Sequence, residues 1–238
     1  MPPPSPFGAL VARAVRLCAR RWAFYLAAAA VAFGLQAAFL LVRGLHYPEI
    51  IGGLIVGPLL ALVVFAFAGC DATGEQVLPA ARWGRVLERS WAVIVIDLVS
   101  AALTLLAIDV GSSDPGWIVL GALAYGLLAL TIFADVNAAL EPNLSAWWLI
   151  PRSFQRSAQL ATQRHNVFLT LTLLATYILV DLGTIVLSEG FAAMHPPASD
   201  WWLIGLETVV SVPYAALVLM VYFECLAREK AAANGNRD

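Results

Sequence analysis

The sequence predicts an all-α integral membrane protein of six transmembrane helices, with both termini and its amphipathic interfacial helices on the cytoplasmic side. Three observations carry this. The 238-residue chain is 61% hydrophobic and only 13% charged, about half the charged share of a soluble domain. Apolar runs of about 20 residues, the length that crosses a hydrocarbon core, recur along it. Its arginines and lysines fall in alternate connections. No segment between the runs is long enough for a folded soluble domain. One membrane domain is therefore expected over residues 22–226, preceded by a tail and amphipathic helix over 1–21 and followed by a polar tail over 227–238.

The proline-rich start, Met1 to Phe7, has the composition of a disordered segment. Gly8 to Arg21 then reads as an amphipathic helix. Leu10, Val11, Ala14, Val15 and Cys18 share one face, with Arg13, Arg16 and Arg20 largely off it. Such a helix either lies in the interface or serves only as a positive flank that fixes orientation. The run after Arg20 and Arg21 is too long for the apolar part of a cleaved signal peptide. The six spans are expected at about 22–42, 50–69, 91–108, 117–137, 167–187 and 201–226. In the second, Gly53 and Gly57 have the GxxxG spacing that lets helix backbones approach closely, which predicts packing within the monomer before a dimer face. Pro79 suits the first turn of a helix, where its missing N–H costs little. The connection after it is basic through Arg82, Arg85 and Arg89 and apolar through Trp83, Val86 and Leu87. Pro151 is expected to begin a similar helix, with Ile150 and Phe154 apolar and Arg152, Gln155, Arg156 and Gln159 polar.

Orientation follows from positive charge. Arg13, Arg16, Arg20 and Arg21 precede the first span. Arg82, Arg85 and Arg89 lie between the second and third, and Arg152, Arg156 and Arg164 between the fourth and fifth. Arg228, Lys230 and Arg237 follow the sixth, and the other connections contribute only Arg43. Only an even number of spans keeps this alternation. Trp22, Trp91, Trp117, Trp147, Trp148, Trp201 and Trp202 stand at span ends, as interfacial anchors do. Leu87-Glu88-Arg89-Ser90 and Phe154-Gln155-Arg156-Ser157 echo each other, which suggests that spans two and three repeat in spans four and five in the same orientation.

Ionisable residues inside spans are costly and mark candidate sites. At about 1.5 Å per residue, Asp181 and Glu207 lie at matching depth on adjacent spans, about 10 Å from the outer surface. They form a candidate proton or cation site, or else a structural pair with Arg43 and His46. Asp97 and Asp135 form a second candidate pair in the inner half. There Asp135 is placed to snorkel and Asp97 to bond Asn137 or Arg89. No enzyme motif occurs. His46, His165 and His195 are scattered, and Cys18, Cys70 and Cys225 have no ligand spacing. The cysteines sit at cytoplasmic span ends, which predicts free thiols. There is no G-x-S-x-G elbow and no phosphate-cradling loop. No cofactor or metal is expected. The basic residues are too few for nucleic-acid binding. They suit contacts with anionic lipid headgroups or a protein partner through Arg82, Arg85, Arg89, Arg152 and Arg156, or fix topology alone.

Residues 135–230 carry short motifs. Glu141 precedes the pair Arg152-Ser153. Pro213 interrupts the sixth run, which ends in Tyr222-Phe223-Glu224 and then Arg228, with Leu226 where a basic residue would complete the pattern. In these the chain resembles the six-span membrane domain attached to some bacterial glycerophosphodiester phosphodiesterases, and its stand-alone inner-membrane relatives. In the fused proteins the hydrolytic chemistry belongs to a separate soluble domain, which this chain does not contain. The resemblance therefore implies a non-catalytic accessory or scaffold role in a bacterial inner membrane. The competing reading is a small transporter or permease using Asp181 and Glu207. No sequence feature supports a homo-oligomer.

Overall fold

A computed structural model describes residues 5–41, 48–75, 77–108, 115–140, 146–194 and 199–235. Among them every regular element is an α-helix: α1 (Phe7–Arg20), α2 (Trp22–Leu40), α3 (Pro48–Thr73), α4 (Pro79–Ile108), α5 (Pro115–Thr131), α6 (Ala134–Leu140), α7 (Ala146–Thr162), α8 (Val167–Met194) and α9 (Ser199–Gly235). Among the described residues five stretches are long and apolar enough to cross a membrane: Trp22–Leu40, Leu54–Thr73, Leu123–Leu140, Val167–Phe191 and Trp201–Asn234. Arg43, His46, Glu141 and His195 lie outside the described residues, as do the side chains of Trp147 and Asp181.

α3 and α9 form the centre. Leu62 to Cys70 are buried without interruption, and so are Ala215 to Tyr222. A helix apolar all round belongs inside a bundle. α3 is buried over 67% of its span and α2 over only 28%, so α2 presents most of its apolar surface outward. α3 packs on α2, α4 and α9, and α8 packs on α9. Two glycines matter here. Gly74 follows α3 at φ +71°, the left-handed turn that ends a helix without a Cβ penalty, and Glu75 N–H closes it onto Cys70 O at 3.0 Å. A Cβ on Gly69 would stand 3.1 Å from Leu140 Cδ2, so this glycine lets α6 press close to α3.

Several boundaries differ from the sequence expectation, each for a packing reason. α4 does start at Pro79, but it runs on through Trp91 as one 30-residue helix. No turn separates a basic interfacial helix from the apolar run after it. At about 1.5 Å per residue such a helix is about 45 Å long, longer than a hydrocarbon core of about 30 Å. α7 and α8 are instead divided by a turn at residues 163–166, so the proposed repeat is not matched in local form. α7 begins at Ala146, which puts Pro151 inside the helix. α9 continues as helix to Gly235, where a polar tail was expected from residue 227, because its last turns pack against α1 and α7. α1 buries Leu10, Ala14 and Leu17, while Val11 and Val15 of the expected apolar face are exposed. The stripe is narrower because it fits α9.

The GxxxG expectation is revised at Gly57, while the surroundings of Gly53 lie outside what is described. A Cβ at Gly57 would meet nothing within 4 Å. The residue faces a cavity and not a neighbouring backbone.

Candidate functional site

The apolar stretch that holds α5 and α6 is broken in its interior. α5 ends at Thr131, Ile132 and Phe133 form a turn, and α6 restarts at Ala134. In a continuous helix the Phe133 N–H would bond the carbonyl four residues back. It donates instead to Ser157 Oγ of α7 at 3.0 Å, and Ser157 is wholly buried. Asn137 holds the other side of the break. Its Nδ2 donates to Phe133 O at 2.8 Å, and its Oδ1 accepts from the Tyr222 hydroxyl of α9 at 3.0 Å. Irregular backbone at membrane depth persists only where protein buries it or a cavity meets it; here both hold.

Asn137 is therefore not the partner of Asp97 that the sequence suggested. Asn137→Ala removes two buried bonds at once. The expected loss is about 1–2 kcal/mol of stability, above the average of about 0.6 for an interhelical bond in a membrane. Thermal unfolding in mild detergent measures it. A loss no larger than that of Tyr222→Phe would mean that the bond to Phe133 O contributes nothing.

The cavity has a volume of about 240 Å³ and is lined from α3, α4, α5, α6, α8 and α9. Asp135, in the first turn of α6, and Asp97 of α4 both line it, and the two carboxylates interact electrostatically. Asp135 Oδ1 is closed off from solvent and has no hydrogen-bond partner among the described residues. Asp135 thus does not snorkel to the membrane surface, because the helix break turns it into the bundle. Ser100 and Ser211 add hydroxyls. Tyr177 and Tyr214 add two rings with centroids 5.7 Å apart. No Lys, Arg or His stands among the described lining residues. Glu207 is exposed on α9 and does not line this cavity; its backbone carbonyl accepts from Ser211 Oγ at 2.6 Å.

The end of the bundle where both chain ends meet is laced by ion pairs. Asp71, at the end of α3, takes Arg21 Nε at 2.6 Å and Arg82 Nη1 at 3.2 Å. Arg82 is buried, donates to Val77 O at 3.1 Å and lies 5.5 Å from the centre of the Phe67 ring. Arg85 reaches Glu75 at 3.7 Å, and Arg89 is buried. Arg156 grips Glu229 of α9 with both terminal nitrogens, and Gln163 Nε2 donates to the same carboxylate at 2.9 Å. Glu224 accepts from Ser5 N–H at 3.0 Å and from Arg228 Nε at 3.2 Å. Arg228 also donates to His165 O at 2.8 Å. Of the arginines singled out from sequence for headgroup contact, Arg82, Arg85 and Arg156 are thus engaged inside the protein, and Arg152 is exposed. Of the remaining motif residues, Ser153 is buried and Pro213 is exposed within α9. Cys18, Cys70 and Cys225 are free thiols. Burial holds the Cys18 thiol above its ordinary range, which disfavours a reactive thiolate.

Between the ends of α1, α3 and α9 lies a hollow of about 560 Å³. Arg13, Arg16 and Arg20 line it, all exposed, and none of the three makes an ion pair among the described residues. Leu17, Met220 and Phe223 give it an apolar wall. A separate groove of about 500 Å³, almost wholly apolar, runs between α2, α3 and α4 past Leu35, Val56 and Trp83. Sequence reasoning took the N-terminal arginines as part of an interfacial helix or a topological flank and not as a lining, because nothing in α1 announces that the end of α9 lies beside them. Comparison with protein-family models, curated proteins and solved structures finds no match.

Proposed function

We propose that this chain is a non-catalytic multi-pass protein of the bacterial inner membrane, with six spans and both termini cytoplasmic, that holds anionic phospholipid at its basic end as an accessory or scaffold. The observation that carries the reading is the hollow lined by Arg13, Arg16 and Arg20. Its two carboxylates, Asp71 and Glu224, are neutralised by Arg21, Arg82 and Arg228. The three α1 arginines are therefore left as a net positive lining, which suits a phosphate group in contact with lipid headgroups. Leu17, Met220 and Phe223 suit the glycerol and upper acyl region. The outward apolar face of α2 and the groove beside it suit acyl chains. The alternation of basic connections supports the orientation, and the resemblance to the phosphodiesterase-linked membrane domain supports an accessory role. The transporter reading through Asp181 and Glu207 gains nothing from Glu207, which stands outside the polar cavity.

Native mass spectrometry of gently extracted protein tests this. Anionic phospholipid is expected to stay bound to the natural chain, and Arg13→Gln with Arg16→Gln and Arg20→Gln to reduce its occupancy by about tenfold or more, at roughly 1 kcal/mol per cation removed near a charged surface. Replacing Arg85, which is engaged with Glu75, is expected to change little. Equal retention in the triple variant would overturn the reading.

A further inference from the structure

We propose that the Asp97–Asp135 cavity is a binding site for a small organic ammonium ion. This goes beyond the lipid-contact reading and rests on different residues. Three observations bear on it. Two acidic side chains share one low-dielectric cavity, and no basic residue lines it among those described. Like charges held together away from water are relieved by a proton or by a compensating cation. Asp135 lines the cavity and its Oδ1 has no hydrogen-bond donor among the described residues, so a small rotation of the carboxylate toward the cavity offers an unfilled acceptor to a ligand. The span itself is broken at Ile132 and Phe133 immediately before Asp135, with Ser157 drawing the Phe133 N–H away from its helical acceptor. A discontinuous helix beside intramembrane acids is the arrangement in which membrane proteins build solute sites.

Size and lining choose among cations. A proton needs no space, yet the cavity measures about 240 Å³, room for about eight waters at roughly 30 Å³ each. A bare inorganic ion held by two carboxylates would leave most of that empty. Tyr177 and Tyr214 place two aromatic rings in the wall, with centroids 5.7 Å apart. Aromatic faces bind alkylated ammonium groups well, and the two carboxylates and the hydroxyls of Ser100 and Ser211 suit N–H or hydroxyl groups on the same solute. Charge compensation, an unfilled acceptor and an aromatic wall together describe an amine-sized cation.

The test is isothermal titration calorimetry of the full chain in a neutral maltoside detergent, with ethylammonium, tetramethylammonium and choline as probes and potassium as the inorganic comparison at constant ionic strength. At least one organic probe is expected to bind saturably, about tenfold or more tighter than potassium. Asp135→Asn is expected to weaken that binding by about tenfold or more. Asp135 stands next to the break, so Gly57→Leu provides a second variant away from it. Gly57 lines the cavity and a Cβ there meets nothing within 4 Å, so the side chain begins in open space. Loss of binding in Gly57→Leu with unchanged thermal stability supports the site. No saturable binding of any organic probe, potassium binding as tightly as the best of them, or binding that survives both variants overturns it. Loss of lipid in the Arg13, Arg16 and Arg20 variant is read separately and decides only the lipid proposal.

Discussion

Phe133→Ala is expected to destabilise the protein by about 3–5 kcal/mol, the usual cost of emptying a fully buried aromatic site. Phe133 has no exposed surface and sits in the turn between α5 and α6, with its ring centroid 6.0 Å from that of Tyr222 on α9. Its backbone is the hinge of the whole site: the N–H goes to Ser157 and the carbonyl accepts from Asn137. Truncation leaves those backbone bonds in place but removes the ring that wedges the break against α9. In a membrane the packing contribution carries the larger share, because lipid offers no hydrophobic gain on helix association. Denaturant or thermal unfolding in mild detergent measures the loss, and Phe133→Leu is expected to recover much of it. A loss below about 1 kcal/mol would mean that the neighbours collapse into the space, and that the break is held by its hydrogen bonds alone.

Arg82→Ala is the second large effect, at about 2–4 kcal/mol. The Arg82 side chain is only 8% exposed and serves three partners: the Asp71 carboxylate, the Val77 carbonyl and the Phe67 ring. Removing it leaves Asp71, itself 21% exposed in the intact protein, with Arg21 as its remaining cation among the described residues, and strips a donor from Val77. Breaking a buried pair from one side costs more than the pair itself contributes, since the other charge stays behind. Arg82→Lys is expected to recover less than half, because an ammonium cannot reach a carboxylate and a carbonyl while lying flat on a ring. Arg21→Gln removes a cation that is 42% exposed, and is expected to cost less than about 1 kcal/mol. Thermal unfolding of the three variants ranks them. If Arg21→Gln proved as damaging as Arg82→Ala, Asp71 would be anchored to the start of α2 and not by the buried contact with α4.

Much of the candidate site was partly legible. Asp97 and Asp135 stand out in any reading of the chain as acids within apolar runs. Depth counting paired them too, second to Asp181 with Glu207, but the cavity that they share was not legible. The rise per residue along a helix tells how deep a side chain lies. It does not tell which way that side chain points once the helix is rotated against its neighbours. Asp97 and Asp135 converge because α4 packs on both α5 and α6. The break that aims Asp135 inward depends on Ser157, a residue 24 positions from Phe133 in sequence. Nothing local in Thr131-Ile132-Phe133 demands a turn: there is no proline or glycine among them. The basic hollow was hidden in the same way, its arginines legible on α1 but its apolar wall supplied by α9.

Composition and the length of the apolar runs by themselves determined that this is a helical membrane protein, because only helices of about 20 residues satisfy the backbone across hydrocarbon when no barrel pattern exists. The amphipathic N-terminal helix and the start of α4 at Pro79 were also local matters of periodicity and backbone chemistry. Tertiary structure decided the rest. It fused the basic segment after Pro79 to the apolar run that follows, carried α9 to Gly235, split the run into α5 and α6, and chose which arginines pair with Asp71 and Glu229. These outcomes depend on which faces of distant helices meet, and the energies of such meetings are properties of pairs and not of any one stretch of chain.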